Sequence, residues 1–517
     1  MALPRCLLAL SLFGLGMAFT PEKYPCVVCD GLVERIMQGK SFQEACSELK
    51  SCEFLFQYKN LTTMDLFPDQ YKGNATEIPL PKRDIFVREI CSRLGLCSQS
   101  RDSFSKSGIT SSPDVRVTPV FGAKGYDFVR VSLIDSSNSP TKPETRPEDL
   151  FTYSENFKYR WTNMRLNSGL IKVTPGQTTT INIQGTDFNI LLPGEGDGVR
   201  GVIIADPCIS DKWVGCQFGS TLKTFDRITG FINAASELSP DKGGIDFWMI
   251  LGDNFYDRTG ELTTQFFGAL SAKAKSKLFA ASAGNHDYWV GGSPIIGDKN
   301  KDQFGNGFMQ YYGMDTYASR NDSVNFLDFS QDPSKGWVIL KENLPVPDNF
   351  QSYFKIGNLG FISYSGAYSK DKVFPFLQEA CSWLGNQTDI SSAYILGHWN
   401  DDGLGCPSGM EVPSIHASVE NIEGCKGLGD KLGYFMGHTH CNVVKEKGLG
   451  FMVAGMGMEG CGNFGVPIVD STSGTTKVYY YPIQDVNVEG SDKYSDVVGC
   501  FESKGVGSCQ DLAMVWA

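Results

Sequence analysis

The sequence predicts a multidomain chain: a small all-α domain stapled by disulfides, a β-rich linker region, and a large α/β domain that carries the chemistry. Three observations predict it. Six of the 16 cysteines crowd between Cys26 and Cys97, in segments whose apolar residues recur at helical spacing. From about Phe151 to Leu192, apolar and polar residues alternate as they do along half-buried strands. Beyond residue 200, a short apolar run stops five times at a glycine or small residue, and a metal-capable side chain follows. Length agrees, because 517 residues exceed what one hydrophobic core usually organises, so two or three domains are expected. With Lys+Arg at 46 against Asp+Glu at 58, a net charge of −12 and no basic run, the composition argues against a nucleic-acid partner.

Residues 1–18 combine Arg5, an apolar stretch from Leu7 to Leu15 and the small-residue pattern Gly16-Met17-Ala18, which reads as a cleaved secretory signal peptide. After it no apolar run approaches the roughly 20 residues that span a bilayer, so no transmembrane segment is expected. The expected location is the exterior or a lysosomal or vacuolar lumen. Removing Cys6 with the leader leaves fifteen of the 16 cysteines, which in an oxidising compartment mostly pair, with one left over. Sequons at Asn60, Asn74, Asn321 and Asn386 suit the same compartment.

In residues 19–100, Val28, Leu32 and Ile36 mark one amphipathic helix, and Phe86, Ile90 and Leu94 another. Some 75 residues bury little core, so three disulfides are needed to staple them. Cys26-Val27-Val28-Cys29 also suits half a zinc or redox site, against which stand the leader and the four further cysteines. With that opening, the closing block Ile90-Cys91-Ser92-Arg93-Leu94-Gly95-Leu96-Cys97 and a sequon between, the region resembles a saposin B-type domain. The resemblance implies nested pairing of Cys26 with Cys97, Cys29 with Cys91 and Cys46 with Cys52, and contact with a lipid or membrane surface. The loop from Cys46 to Cys52 is shorter than the family's. Residues 101–194 follow as a linker, with Ser136-Ser137-Asn138-Ser139-Pro140 its clearest loop, and then a β-rich stretch including Thr179-Thr180-Ile181-Asn182-Ile183 and Phe188-Asn189-Ile190-Leu191.

The five recurring runs are Val202 to Ala205 before Asp206, Phe247 to Gly252 before Asp253, Leu278 to Gly284 before Asn285-His286, Ala393 to Gly397 before His398, and Leu432 to Gly437 before His438-Thr439-His440. If these strands share one sheet, their C-terminal ends bring Asp206, Asp253, Asn285, His398, His438 and His440 to one rim. Four of the five histidines of the chain lie in these positions. Oxygen and imidazole donors without thiolate suit Zn, Fe or Mn, and a bridging carboxylate suits two metals roughly 3.5 to 4 Å apart.

The blocks Gly252-Asp253, Gly284-Asn285-His286-Asp287, Gly397-His398 and Gly437-His438-Thr439-His440 resemble, in order, the signature of the calcineurin-like metallophosphoesterases. The resemblance implies an α/β fold of the βαββ sandwich type over residues 195–485, a C-terminal tail over 486–517, and hydrolysis of phosphoric esters. The first block departs from the family, since Pro207 and Cys208 follow Asp206 where a liganding His usually stands two residues on. Gly252-Asp253-Asn254-Phe255-Tyr256 is similar to the block of purple and tartrate-resistant acid phosphatases in which the tyrosine takes that place, and a phenolate favours ferric iron. Taken alone, Tyr256 also suits an aromatic wedge, His286 a structural histidine, and Cys208 either a disulfide to Cys216 or thiolate ligation.

Carried over by position, the resemblance implies Asp206, Tyr256 and His440 on a first metal, Asn285, His398 and His438 on a second, and Asp253 bridging. The pair would be Fe(III) with Zn, Fe(II) or Mn. Metal-bound hydroxide would attack phosphorus, with His286 as general acid and Asp287 orienting its ring. The expected function is hydrolysis of phosphate monoesters, of the acid phosphatase type. A saposin-like domain ahead of such a domain also resembles acid sphingomyelinases, lipid phosphodiesterases whose Asp-x-His block is missing here. A third alternative is a lipid-binding scaffold that has lost catalysis. His416 lies in no motif and is expected beside the site or on the surface. Cys500 and Cys509 suit a local bridge, whereas Cys381, Cys406, Cys425, Cys441 and Cys461 are left unassigned.

Overall fold

The apolar runs become buried parallel strands, divided between two sheets instead of sharing one. The computed structural model describes residues 112–120, 125–135, 157–158, 165–207, 209, 223–254, 261–284, 287, 351–366, 370–398, 411–453 and 462–517. The chain separates into residues 1–103 with 295–299 and residues 104–294 with 300–517, and every described residue belongs to the second unit. The saposin-like expectation for 19–100 therefore lies outside the described residues, as do Cys208, Cys216, Tyr256, Asn285 and His286.

In chain order the elements are β1 (Asp114–Pro119), β2 (Phe128–Asp135), β3 (Phe157–Lys158), β4 (Arg165–Lys172), β5 (Thr178–Ile183), β6 (Thr186–Leu191) and β7 (Arg200–Ile204). Next come α1 (Thr224–Glu237), β8 (Phe247–Leu251), α2 (Glu261–Ala269), α3 (Ala272–Lys275) and β9 (Leu278–Ser282). The second half holds β10 (Ser352–Ile356), β11 (Leu359–Ser363), α4 (Lys370–Gly385), β12 (Ser392–Gly397), α5 (Val412–Val419), β13 (Leu432–Met436), β14 (Val443–Glu446) and β15 (Gly450–Met452). β16 (Asn463–Asp470), β17 (Lys477–Asp485), α6 (Tyr494–Lys504) and β18 (Met514–Val515) close the order.

A ten-stranded sheet runs β18-β17-β16-β7-β8-β9-β1-β2-β4-β3, a six-stranded sheet runs β10-β11-β12-β13-β15-β14, and β5 pairs with β6 alone. β7, β8 and β9 are parallel to one another, and so are β11, β12 and β13. The five motif strands thus divide three and two between sheets. Both parallel sets are buried on both faces, so each reads in sequence as a continuous apolar run. The sheets face each other: the Phe247 ring meets the Phe361 ring edge-on at 5.6 Å, and the Ser282 and Ser363 hydroxyls hydrogen-bond at 2.7 Å. Face-to-face packing brings the C-terminal ends of β7, β8, β9, β12 and β13 to a common rim.

Helices cover the outer faces. α1 presents Phe225, Ile228, Phe231, Ile232 and Ala235 as one buried stripe, the spacing of a helix with one face on a sheet. Its Phe231 meets Phe501 of α6 at 5.2 Å. Trp248 of β8 packs against Phe266 and Phe267 of α2, and its indole donates to the Ala274 carbonyl at 3.3 Å. On the other sheet the Cys381–Cys425 disulfide ties α4 to the turn beyond α5.

The ten-stranded sheet crosses the expected boundaries at 194/195 and 485/486. β1 lies parallel to β9, with Val117 opposite Leu278, and so covers what would be an open strand edge. α6 packs on α1, and β18 pairs with β17, its neighbour Trp516 stacking on Tyr480 at 4.3 Å. The Cys500–Cys509 bridge suggested by the sequence closes this tail. The alternating runs near 180 and 189 form the β5–β6 hairpin, whose two-residue turn Gln184-Gly185 has positive φ at both positions, as a type I′ turn requires.

One buried charge makes stability depend on pH. Asp246, just before β8, accepts the Arg200 backbone N–H at 2.8 Å. Burial, aided by Asp470, pushes its carboxyl up from 3.8 to about 6 against the Arg200 hydrogen bond and the Lys277 and Arg200 charges. The folded state holds this proton more tightly than the unfolded chain, so the contribution is complete below pH 3.8 and is lost as pH rises through about 6. Relative to Asp246→Asn, the wild type should lose up to about 3 kcal/mol between pH 4 and 7 in urea melts. Parallel pH profiles for the two proteins would show that Asp246 does not titrate in this way.

Candidate metal centre

The strands β7, β8 and β13 each end in a backbone turn of left-handed conformation. Six non-glycine residues among those described have positive φ, and four of them are Asp206 (44°), Asp253 (46°), His438 (77°) and His440 (58°). The left-handed region costs an L-residue roughly 1–2 kcal/mol, so its concentration here marks a place where geometry is held against local preference.

Glycines before these side chains permit close approach. Gly252 has φ of 84°, and a Cβ there would run into the His398 ring. A Cβ on Gly284 would strike the Asp253 backbone nitrogen, which cannot swing aside, and the Asp253 Oδ1. The end of β8 is thus in contact with the end of β9 and with the end of β12 in the facing sheet.

Hydrogen bonds then aim the donor atoms. His398 Nδ1 donates to the Leu251 carbonyl at 2.8 Å, which turns Nε2 toward Asp253 Oδ2 at 3.3 Å and Asp206 Oδ1 at 3.8 Å. Asp206 Oδ2 accepts the His438 backbone N–H at 2.8 Å, while His440 Nε2 lies 3.3 Å from Asp206 Oδ1. The His398 and His438 rings meet edge-on at 5.3 Å. Donor atoms of Asp253, His398 and His438 lie within 4.8 Å of one another, and so do those of Asp206, Asp253 and His440. Asp253 belongs to both groups.

The donor set fits cations. Asp206 and His398 are fully buried, and among the described residues Asp206 Oδ1 has no hydrogen-bond partner, a costly state for a carboxylate oxygen unless a positive charge meets it. Burial pushes the His398 imidazole down, but the Asp253 and Asp206 carboxylates push it further up, to about 9. Imidazole and carboxylate donors around one shared carboxylate suit a pair of Zn, Fe or Mn ions.

The Asp287 carboxylate is buried and accepts the Gly284 N–H at 2.8 Å and the Asn254 side-chain amide at 2.8 Å, with the Asn254 backbone N–H at 3.2 Å. Burial and then the Asp253 charge raise it to about 7. Its expected contact with His286 lies outside the described residues, as do the placements of Tyr256 and Asn285. Asn254 was not singled out by the sequence, although a polar residue directly after a strand-end ligand is a signal that could have found it. His416 is buried away from these residues on α5, where its Nε2 bonds the Leu432 carbonyl at 2.8 Å and its ring packs on Tyr434. Cys441, next to His440, is disulfide-bonded.

The family model described as calcineurin-like phosphoesterase matches residues 200–442. Among solved structures, a candidate 5'-nucleotidase from Staphylococcus aureus in complex with alpha-ketoglutarate is similar at 13% identity, with a TM-score of 0.24. The match covers 59% of this chain and 58% of that one. No curated protein matches.

Proposed function

We infer that the calcineurin-like phosphoesterase domain at residues 200–442 hydrolyses phosphate monoesters with a pair of metal ions, in the manner of a purple acid phosphatase. The observation that carries this is the sharing of Asp253 by two donor groups at the strand ends. Asp206 and His440, with Tyr256, would hold one ion, and His398 and His438, with Asn285, would hold the other. When bound, the ions supply positive charge for the phosphate oxygens and lower the pKa of a water molecule. The chain supplies position: the Leu251 carbonyl fixes the His398 ring, and the His438 N–H fixes Asp206. His286 is assigned delivery of a proton to the leaving oxygen.

The leader-like residues 1–18 and the sequons support a secreted or lumenal location, and Asn386 is exposed at the end of α4. A second reading, a lipid phosphodiesterase of the acid sphingomyelinase type, is favoured by the six-cysteine pattern at 26–97, which offers a route to a lipid surface. A lapsed scaffold fits less well, because such proteins lose donors and Asp206, Asp253, His398, His438 and His440 are together here.

Tyr256 separates the branches. A tyrosinate on ferric iron absorbs in the visible, so the oxidised protein is expected to be coloured and Tyr256→Phe to bleach it. A colourless oxidised protein with a full complement of iron and zinc would take Tyr256 off the metal and favour the phosphodiesterase.

A further inference from the structure

We propose that Asn254 and Asp287 form a brace that fixes the spacing between the two metal positions, an inference that rests on the metal-site reading above. Asp253 stands at the end of β8, and Gly284 stands just before Asn285 at the end of β9. One buried carboxylate joins these two ends. Asp287 accepts the Gly284 N–H, the Asn254 backbone N–H and the Asn254 side-chain amide, and that same amide also donates to the Ser282 carbonyl at 3.0 Å. The residue after the shared ligand is thereby tied to the residues on either side of Asn285.

The arrangement has little slack. Asn254 is fully buried, and Gly284 is so close to Asp253 that a methyl group on it would strike the Asp253 backbone. A small slide of one strand end against the other would carry the Asp253 carboxylate toward one donor group and away from the other. A third buried carboxylate beside Asp206 and Asp253 is a costly way to join two loops if packing were all that mattered, since an apolar pair of similar volume holds loops without desolvating a charge. What the carboxylate adds is direction. It faces several N–H groups at once and fixes the angle as well as the distance between the chain segments that carry the ligands. Asn254 and Asp287 are accordingly positioning residues, acting through Asp253 and the end of β9.

The test uses the full chain stripped of metal and titrated with Mn2+ alone, followed by electron paramagnetic resonance. The signal of free Mn2+ counts ions bound, and the exchange-coupled signal of a Mn pair reports their spacing. Asn254→Ala and Asp287→Asn are each expected to bind Mn2+ 10- to 100-fold more weakly and to change or lose the coupled signal. Asn254→Ser, which shortens the side chain but keeps a donor, stands in if Asn254→Ala does not fold. Folded single variants that bind Mn2+ with wild-type affinity and an unchanged coupled signal would overturn the brace while leaving the metal site standing. Failure of the wild type itself to bind Mn2+ would overturn both.

Discussion

Asp253→Ala and His438→Ala are each expected to lose at least about 10^3-fold in turnover of a phosphate monoester, equivalent to about 4 kcal/mol of transition-state stabilisation. Asp253 belongs to both donor groups, so its loss removes charge and geometry from both at once. His438 supplies an imidazole to one group, and its backbone N–H orients Asp206 of the other. Folding should survive. The Asp253 carboxylate is buried and its charge helps raise Asp287, so without metal it opposes its neighbour. It also faces His398 Nε2 at 3.3 Å, so the two effects oppose each other and metal-stripped Asp253→Ala should still melt cooperatively beside the metal-stripped wild type. Retention of more than a tenth of wild-type turnover by both variants would remove these residues from the reaction.

Gly284→Ala is expected to cost at least 100-fold in turnover and to weaken metal retention, although it adds only a methyl group. The new Cβ would be driven into the Asp253 backbone nitrogen and Oδ1, and Gly284 cannot retreat because its N–H is held by Asp287. Relief requires moving the shared ligand. Gly499→Ala in α6 is the matched control: nothing lies within 4 Å of its added Cβ, and alanine inside a helix should stabilise by roughly 0.5–1 kcal/mol. Equal activity in the two alanine variants would show that the contact at Gly284 does not constrain the site.

The parts of this site that can be read from sequence are those where chemistry and chain order coincide. Asp253, His398 and His438 each follow a glycine at the end of an apolar run, with His440 two residues after His438, and that pattern is local. The allotment of the runs to two sheets is not local, because β8 and β13 are buried on both faces and look alike as strings of residues. β1 is hidden for a related reason. Its Arg116 suggests a solvent-facing position, but the guanidinium lies over the Phe267 ring at 3.6 Å and pairs with Asp114 at 2.7 Å, so a strand of the main sheet resembles part of a linker. The tail docks through the buried side chains of Val497, Phe501 and Val506, the Trp516 ring and a disulfide, contacts that its order along the chain does not announce. Hydrogen bonds between Asn254 and Asp287 depend on how closely β8 and β9 approach, which no spacing along the chain encodes. Positive φ at Asp206 and His440 is equally invisible in residue identity.

Metal reconstitution tests the central claim most directly. The chelator-stripped chain would be titrated with Fe or Zn while its turnover of p-nitrophenyl phosphate is followed beside that of bis-p-nitrophenyl phosphate and sphingomyelin. Two donor groups sharing Asp253 predict negligible turnover without metal, a rise to a plateau at about two ions per chain, and preference for the monoester. Turnover that survives chelation, or that reaches its plateau with no more than one ion bound, would contradict a dinuclear site; preference for either diester would contradict the monoesterase.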